Sequence, residues 1–259
     1  MNTDILLRRL LLKIRPAWLA AHVKHLLCVK RRVIETRQGH FLVDPVSHVG
    51  GDLIEFGHYE PEMQATIERF LPEGGVFADA GANEGYFSVL AAKRARLVLA
   101  FEPQSRLQHV LQKNFELNQV QPRIVLMHLA LGAETGSIEM RLTPDLNTGA
   151  SGFSNVTRYR LPVETVPMRT LTDVVNEAGV DQIDLLKVDI EGAEHQLLRG
   201  AEALLAAGRI RRIALELHER QLQALGASSE AVLALLTQHG YRPVPDAPTL
   251  VLEATHARQ

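Results

Sequence analysis

The spacing of apolar positions changes along the chain, and each change marks a different kind of element. In residues 1–37, Leu7, Leu11, Ile14 and Trp18 recur at helical spacing, and Leu6 and Leu10 widen the stripe. This predicts amphipathic helix, divided in two at Pro16. Arg32 to Thr36 and His40 to Asp44 then read as two short strands joined across Gln38-Gly39, a hairpin. Gly50-Gly51 and Gly57 read as polar loop punctuation, and Glu62 to Leu71 as a short helix stopped by Pro72 and Gly74-Gly75.

From there the pattern becomes a regular alternation of apolar strand, loop and helix. Strands are expected near Val76 to Ala80, Leu97 to Phe101, Ile124 to Leu129, Ile183 to Val188 and Ile213 to Leu217. Such alternation predicts an α/β fold, a mostly parallel sheet with helices on both faces. Glu230 to Gln238 reads as a helix capped by Ser228 or Ser229, and Tyr241 to Val244 with Thr249 to Leu252 as a terminal hairpin. Residues 1–72 are thus expected to form an N-terminal extension of basic helices, hairpin and short helix, and 73–259 the α/β domain. No internal repeat or low-complexity tract interrupts it.

Composition narrows the class. With 46% apolar and 22% charged residues, the 259-residue chain can bury a sizeable core, which excludes disorder. A single cysteine, Cys28, permits neither an intrachain disulfide nor a cysteine zinc cluster, so a reducing cytoplasm is the default expectation. The net charge of -2 gives no global footprint for nucleic acid, and no nucleic-acid partner is expected. The balance is uneven, however. Residues 1–37 hold nine basic residues against Asp4 and Glu35, a net +7, and the remaining 19 basic and 28 acidic residues give -9. The apolar run Ala17 to Ala21 is too short to span a bilayer, and no export signal follows. Two placements for the basic stripe stay open: packed on the body, or resting peripherally on an anionic membrane at its cytoplasmic face.

The most informative segment is Asp79-Ala80-Gly81-Ala82-Asn83-Glu84-Gly85, directly after the first parallel strand and opening into a helical pattern. Strand, glycine loop and helix form a nucleotide-site geometry. Gly81 permits a tight turn and close ligand approach, and Gly85 close packing of the helix start. A carboxylate at Asp79 would repel a pyrophosphate, whereas S-adenosylmethionine has no phosphate and carries a sulfonium and an ammonium, so DxGxxxG favours that cofactor over NAD. Asp79, Gly81, Asn83, Glu84 and Gly85 are therefore candidate cofactor residues. Glu102 ends the second strand 23 residues after Asp79, the offset expected of an acid that accepts both ribose hydroxyls.

At the third strand, His128, Ala130 and Leu131 mark the edge where adenine should lie. The fourth strand ends in Lys187-Val188-Asp189-Ile190-Glu191-Gly192-Ala193-Glu194, three carboxylates costly to gather unless they face solvent, cations or a polar ligand. Asp189 would adjoin the first loop at the switch point of the sheet, and Glu216 and His218 end the fifth strand at the same edge. Between Thr143 and Leu161 a Gly-, Ser- and Asn-rich stretch reads as a lid or acceptor-recognition loop; its Asn155-Val156-Thr157 sequon is read as chance.

These blocks, in order and spacing, resemble the FkbM family of S-adenosylmethionine-dependent methyltransferases: DAGANEGYFS, AFEP with Leu111, Asn114 and Asn118, ALGAETGS, VPMRTLTDVV, LLKVDIEGAEHQLLRGA and ALELH. The resemblance runs from about Val76 to Arg220, and KVDIEGAE is its most specific part. Thr172 stands where the family's TLD motif has Asp, with Asp173 adjacent. The resemblance implies a class I methyltransferase, Rossmann-like sheet of seven strands in order 3-2-1-4-5-7-6 with the last antiparallel. It also implies O-methylation of a hydroxyl on a sugar, glycolipid or natural product. Such transfer needs the acceptor oxygen aligned on the methyl carbon and a general base in reach. Asp189, Glu191 and His218 are the catalytic candidates, His218 favoured as base because an unperturbed histidine titrates near about 6.5. A metal held by the same three residues is the weaker alternative, and none is expected. Two rival classes stay open: a nicotinamide-dependent oxidoreductase, and a non-catalytic nucleotide-binding or scaffold protein on the same fold.

Overall fold

The computed structural model describes residues 3–14, 17–143, 145–153 and 161–255. The side chain of Trp18 and the Asn155-Val156-Thr157 sequon lie outside the described residues. Twelve strands are seen among those described: β1 Arg32–Thr36, β2 Gly39–Val43, β3 Val76–Ala80, β4 Leu97–Phe101, β5 Ile124–Met127, β6 Ala130–Leu131, β7 Gly136–Arg141, β8 Val163–Arg169, β9 Leu185–Val188, β10 Arg212–Leu215, β11 Tyr241–Pro243 and β12 Leu250–Ala254.

Seven of them form the central sheet, in order β11-β12-β10-β9-β3-β4-β5. β3, β4, β5, β9 and β10 run parallel, and β12 is antiparallel to β10. Numbered within this sheet, that is the expected 3-2-1-4-5-7-6 order. The chain leaves β3 toward β4 on one side and returns to β9 on the other, so the strand order reverses between β3 and β9, where a crevice opens at the carboxyl edge. β6, β7 and β8 make a separate three-stranded sheet, and β1 pairs with β2 as the expected hairpin.

The five parallel strands are apolar on both faces because each face is covered. One core packs Leu99, Leu186 and Ile213 under helices Leu171–Glu177, Glu194–Gly200 and Ser229–Gln238. The opposite core packs Phe77, Val98 and Ala214 under Tyr86–Ala92 and Ser105–Leu117, joined there by helices His48–Phe56 and Pro61–Phe70 of the N-terminal segment. Ser228 is the N-cap of the Ser229–Gln238 helix, its side chain accepting from the Ala231 amide.

One expectation is corrected. The Gly50-Gly51 stretch, read as loop, lies inside helix His48–Phe56, with Ser47 as its N-cap accepting from the Gly50 amide at 3.0 Å. The glycines serve close approach instead: a Cβ on Gly50 would stand 2.0 Å from the Asp44 carbonyl oxygen, and one on Gly51 2.2 Å from the Arg8 side chain. Arg8 reaches Asp52 at 2.7 Å, Arg9 reaches Glu55 at 2.6 Å, and Lys24 pairs with buried Asp44. Leu11 is buried, and Leu7 and Ile14 pack with it around Val46. Leu7, Leu11 and Ile14 of the stripe thus face the body, whereas Leu6 and Leu10 are exposed. Among the described residues, no helix is long and apolar enough to cross a membrane.

Candidate active site

The carboxyl ends of β3, β4, β9 and β10 meet at one cavity with about 880 Å³ of empty space, partly open to solvent. Gly81 and Asn83 line it from the first loop, Glu102 and Phe101 from β4, Ala130 and Leu131 from β6, and Asp189, Glu191, Glu216 and His218 from the other side of the switch point.

Gly81 has φ +86, and a Cβ there would sit 1.9 Å from the Asp189 carbonyl oxygen, so only glycine lets the two strand ends approach this closely. The loop then passes through Asn83 in the left-handed region, φ 49, where its amide donates to Glu102 Oε2 at 2.8 Å. The Gln104 amide donates to Glu102 Oε1 at 3.0 Å. Both carboxylate oxygens are thus oriented, with lone pairs left toward the cavity. Burial pushes the Glu102 carboxyl up to about 7, against the lowering effect of these amide hydrogen bonds. In the described part of the Gly-, Ser- and Asn-rich stretch, Thr148 Oγ1 donates to Asn83 Oδ1 at 2.9 Å and Gln104 Nε2 donates to the Thr148 carbonyl at 3.2 Å, which holds Thr148 against the glycine loop.

Asp79 does not line the cavity. Alternation along β3 gives it the same face as Phe77, beneath helix Tyr86–Ala92, where Ser88 Oγ donates to it at 2.7 Å and Lys187 Nζ stands 3.3 Å away. Glu84 and Gly85 also turn from the cavity. Glu84 is buried against Arg31 at 2.8 Å, and Gly85 packs on Leu111 and Phe115. His128 is exposed, with Nε2 2.9 Å from the Pro103 carbonyl oxygen, outside the cavity lining.

At the opposite end, His218 Nδ1 meets the fully buried Glu194 at 2.7 Å. Its Nε2 lies 3.9 Å from Asp189, 3.8 Å from Glu191 and 3.7 Å from Glu216. Burial alone would lower the His218 pKa, but the hydrogen bond to Glu194 and the surrounding carboxylates push it up to about 9. The surrounding carboxylates thus favour the imidazolium form of His218, in which Nε2 donates. Burial also raises Glu191 and Glu216. Asp189, Glu216 and His218 offer ligand atoms within 4.8 Å of one another, a spacing that a cation could use.

Three residues escaped the sequence reading. Lys187 sits inside the KVDIEGAE block, yet nothing in the block shows that its ammonium turns inward to Asp79, Asp189 and the Gly81 carbonyl. Tyr59 and Glu60 lie just before helix Pro61–Phe70 and line the cavity from the N-terminal side. Their only sequence signal was an acid and an aromatic ahead of a proline.

Comparison with known proteins places the chain. The family model for the methyltransferase FkbM domain matches residues 79–243. The 31-O-demethyl-FK506 methyltransferase FkbM of Streptomyces tacrolimicus is 31% identical over 229 residues, covering 85% of this chain and 79% of that protein. The AMB antimetabolite synthetase AmbE of Pseudomonas aeruginosa is 28% identical over 66% of this chain, which spans only 10% of that protein. Methyltransferase sdnD of Sordaria araneosa is 29% identical over 51% of this chain and 62% of its own length. The chain belongs to the FkbM methyltransferase family, with S-adenosylmethionine as its cofactor.

Proposed function

We propose that the protein transfers a methyl group to a hydroxyl of a saccharide, glycolipid or natural product. The observation that carries this reading is the single cavity that joins the amide-oriented Glu102 at one end to Asp189, Glu191, Glu216 and His218 at the other. The residues fit the cofactor. Gly81 lets the loop turn tightly against the end of β9 beside the cavity, Glu102 offers two acceptor oxygens for vicinal ribose hydroxyls, and Ala130 and Leu131 provide an apolar wall for adenine. When bound, S-adenosylmethionine supplies an electrophilic methyl group on a cationic sulfur.

The chain's own residues orient the acceptor and receive its proton. Carboxylates at the acceptor end suit a neutral, hydroxyl-rich group and disfavour a phosphate held next to them. Imidazolium His218 donates from Nε2 and so holds an acceptor oxygen rather than deprotonating it. In this reading residues 1–72 form the extension that completes the catalytic domain 73–259, supplying Tyr59 and Glu60 to the cavity.

The test is a screen of nucleotide-sugars, glycans and lipid-linked sugars with methyl-radiolabelled S-adenosylmethionine. Label entering a base-stable ether on a hydroxyl compound is the expected result. Label appearing only on amines, carbon centres or nucleic acid would overturn the reading.

A further inference from the structure

Among the described residues, six other than glycine adopt positive φ, and three of them, Glu60, Asn83 and Glu191, line the cavity. Asn83 is explained by its amide bond to Glu102. Glu60 has no such account. Its backbone is left-handed, φ 41 and ψ 71, at the N-cap of helix Pro61–Phe70, yet its side chain makes no capping bond. A residue with a Cβ occupies this region only at an energetic cost, and such strain collects at functional sites. Here the strained turn sets Glu60 in the cavity wall beside Tyr59, with its side chain uncommitted to the helix amides.

The other acids at this end each face a cation, Glu216 lying 3.7 Å from His218 Nε2. Asp189 lies 3.3 Å from the Lys187 ammonium, and Glu191 accepts from Gln221 at 2.9 Å and faces the His218 imidazolium at 3.8 Å. A carboxylate held by cations is a poor proton acceptor.

We propose that Glu60 is the general base of methyl transfer, an inference that rests on the hydroxyl-acceptor reading above. As the acceptor oxygen bonds to the methyl carbon, the bond from that carbon to sulfur breaks with its electron pair left on sulfur. The hydroxyl proton passes to a Glu60 carboxylate oxygen and leaves to solvent after release. Burial pushes the Glu60 carboxyl up to about 7. Asp189 and Glu216 across the cavity raise it further, and the Tyr59 hydrogen bond and the Lys187 charge oppose them. A base poised near working pH is the most effective kind.

The experiment has two arms on the full chain. In the first, ¹³C-carboxyl-labelled glutamate is titrated by NMR in the S-adenosylhomocysteine complex, and the resonance absent from Glu60→Gln reports the group without any acceptor. A midpoint near 7 is expected; one in the ordinary range of about 4.3 overturns the proposal. In the second, wild type, Glu60→Gln and Glu60→Gly enter the acceptor screen together, with S-adenosylhomocysteine affinity measured on each. Glycine suits the left-handed turn, so Glu60→Gly should fold at least as well as wild type. Both variants should bind S-adenosylhomocysteine normally and lose roughly 10²- to 10⁴-fold in turnover. Turnover retained in either variant overturns the proposal. A wild type that methylates no hydroxyl compound brings down the acceptor reading instead, and the titration still judges Glu60.

Discussion

Lys187 Nζ lies 3.3 Å from Asp79 Oδ1, and both side chains are sealed from solvent. The same ammonium stands 3.3 Å from Asp189 Oδ2 and donates to the Gly81 carbonyl at 3.1 Å. One buried cation thereby ties the end of β3, the glycine loop and Asp189 at the end of β9 into a single unit. Its own pKa is raised well above the usual lysine range: burial works against the charge, but Asp189 and Asp79 outweigh it.

Removing that cation leaves Asp79 buried and uncompensated. Lys187→Met should therefore destabilise the fold by about 3–5 kcal/mol, the usual cost of breaking a buried pair. Removing both charges, in Asp79→Asn with Lys187→Met, should restore most of the loss. Urea denaturation of these two variants and wild type measures it, and a Lys187→Met midpoint equal to wild type would contradict the buried-pair account.

His218 should titrate far above an ordinary histidine. Its folded pKa, about 9, exceeds the unfolded value near 6.5, so its contribution to stability is complete below about 6.5 and is lost as pH rises through about 9. Stability of the wild type should fall across that window, and His218→Gln should flatten the fall. Imidazole NMR gives the midpoint directly; a value near 6.5 would return His218 to the role of resting base.

Why some of this was legible in the sequence follows from where the information sits. The ends of β3 and β4 were readable within a residue because Val76 to Ala80 and Leu97 to Phe101 are short apolar runs bounded by glycine or polar residues. Glu102 was readable because a fixed offset from the glycine loop sets it at the end of β4, where it accepts from the Asn83 amide. Asp79 was misplaced because its role depends on which face of β3 meets Lys187, a partner 108 residues away in the chain. The charge environment of His218 was not legible because it is made by carboxylates that come together only in the fold, Glu194 above all. Helix His48–Phe56 was missed because Gly50 and Gly51 oppose helix locally, and only the approach of Asp44 and Arg8 explains them.

A second pair, half-buried Arg31 with buried Glu84, links the N-terminal segment to the glycine loop. Arg31 meets Glu84 at 2.8 Å, and Asn114 Nδ2 holds the Glu84 carbonyl at 2.7 Å while its Oδ1 accepts from the Leu42 amide at 2.6 Å. Burial raises the Glu84 pKa, and Arg31 opposes the rise. Arg31→Gln should strand that acid and weaken S-adenosylhomocysteine binding, and adding Glu84→Gln should recover it. Calorimetry on both variants tests this, and affinity unchanged in Arg31→Gln would detach the segment from the cofactor site.

The N-terminal helices should act on stability first. Arg8, Arg9, Lys24 and Arg31 are engaged with Asp52, Glu55, Asp44 and Glu84, which leaves fewer free cations for an anionic surface than the +7 count suggests. A version starting near Arg32 should unfold at lower temperature. Full-length protein should stay in the supernatant when sedimented with anionic vesicles at low salt; co-sedimentation that the shortened version loses would instead favour the membrane placement.

The central claim is that the cavity beside Glu102 holds the adenosine of S-adenosylmethionine, and calorimetric titration of S-adenosylhomocysteine into wild type and Glu102→Ala tests it most directly. The account predicts saturable binding to wild type, none of NADH, and a loss of roughly 1.5 to 3 kcal/mol in the variant, the size of charge-assisted hydrogen bonds to the ribose. Wild-type affinity should also weaken as pH falls through about 7, where the Glu102 carboxyl takes up its proton. Equal affinity in wild type and Glu102→Ala, or binding of NADH in place of S-adenosylhomocysteine, would contradict it.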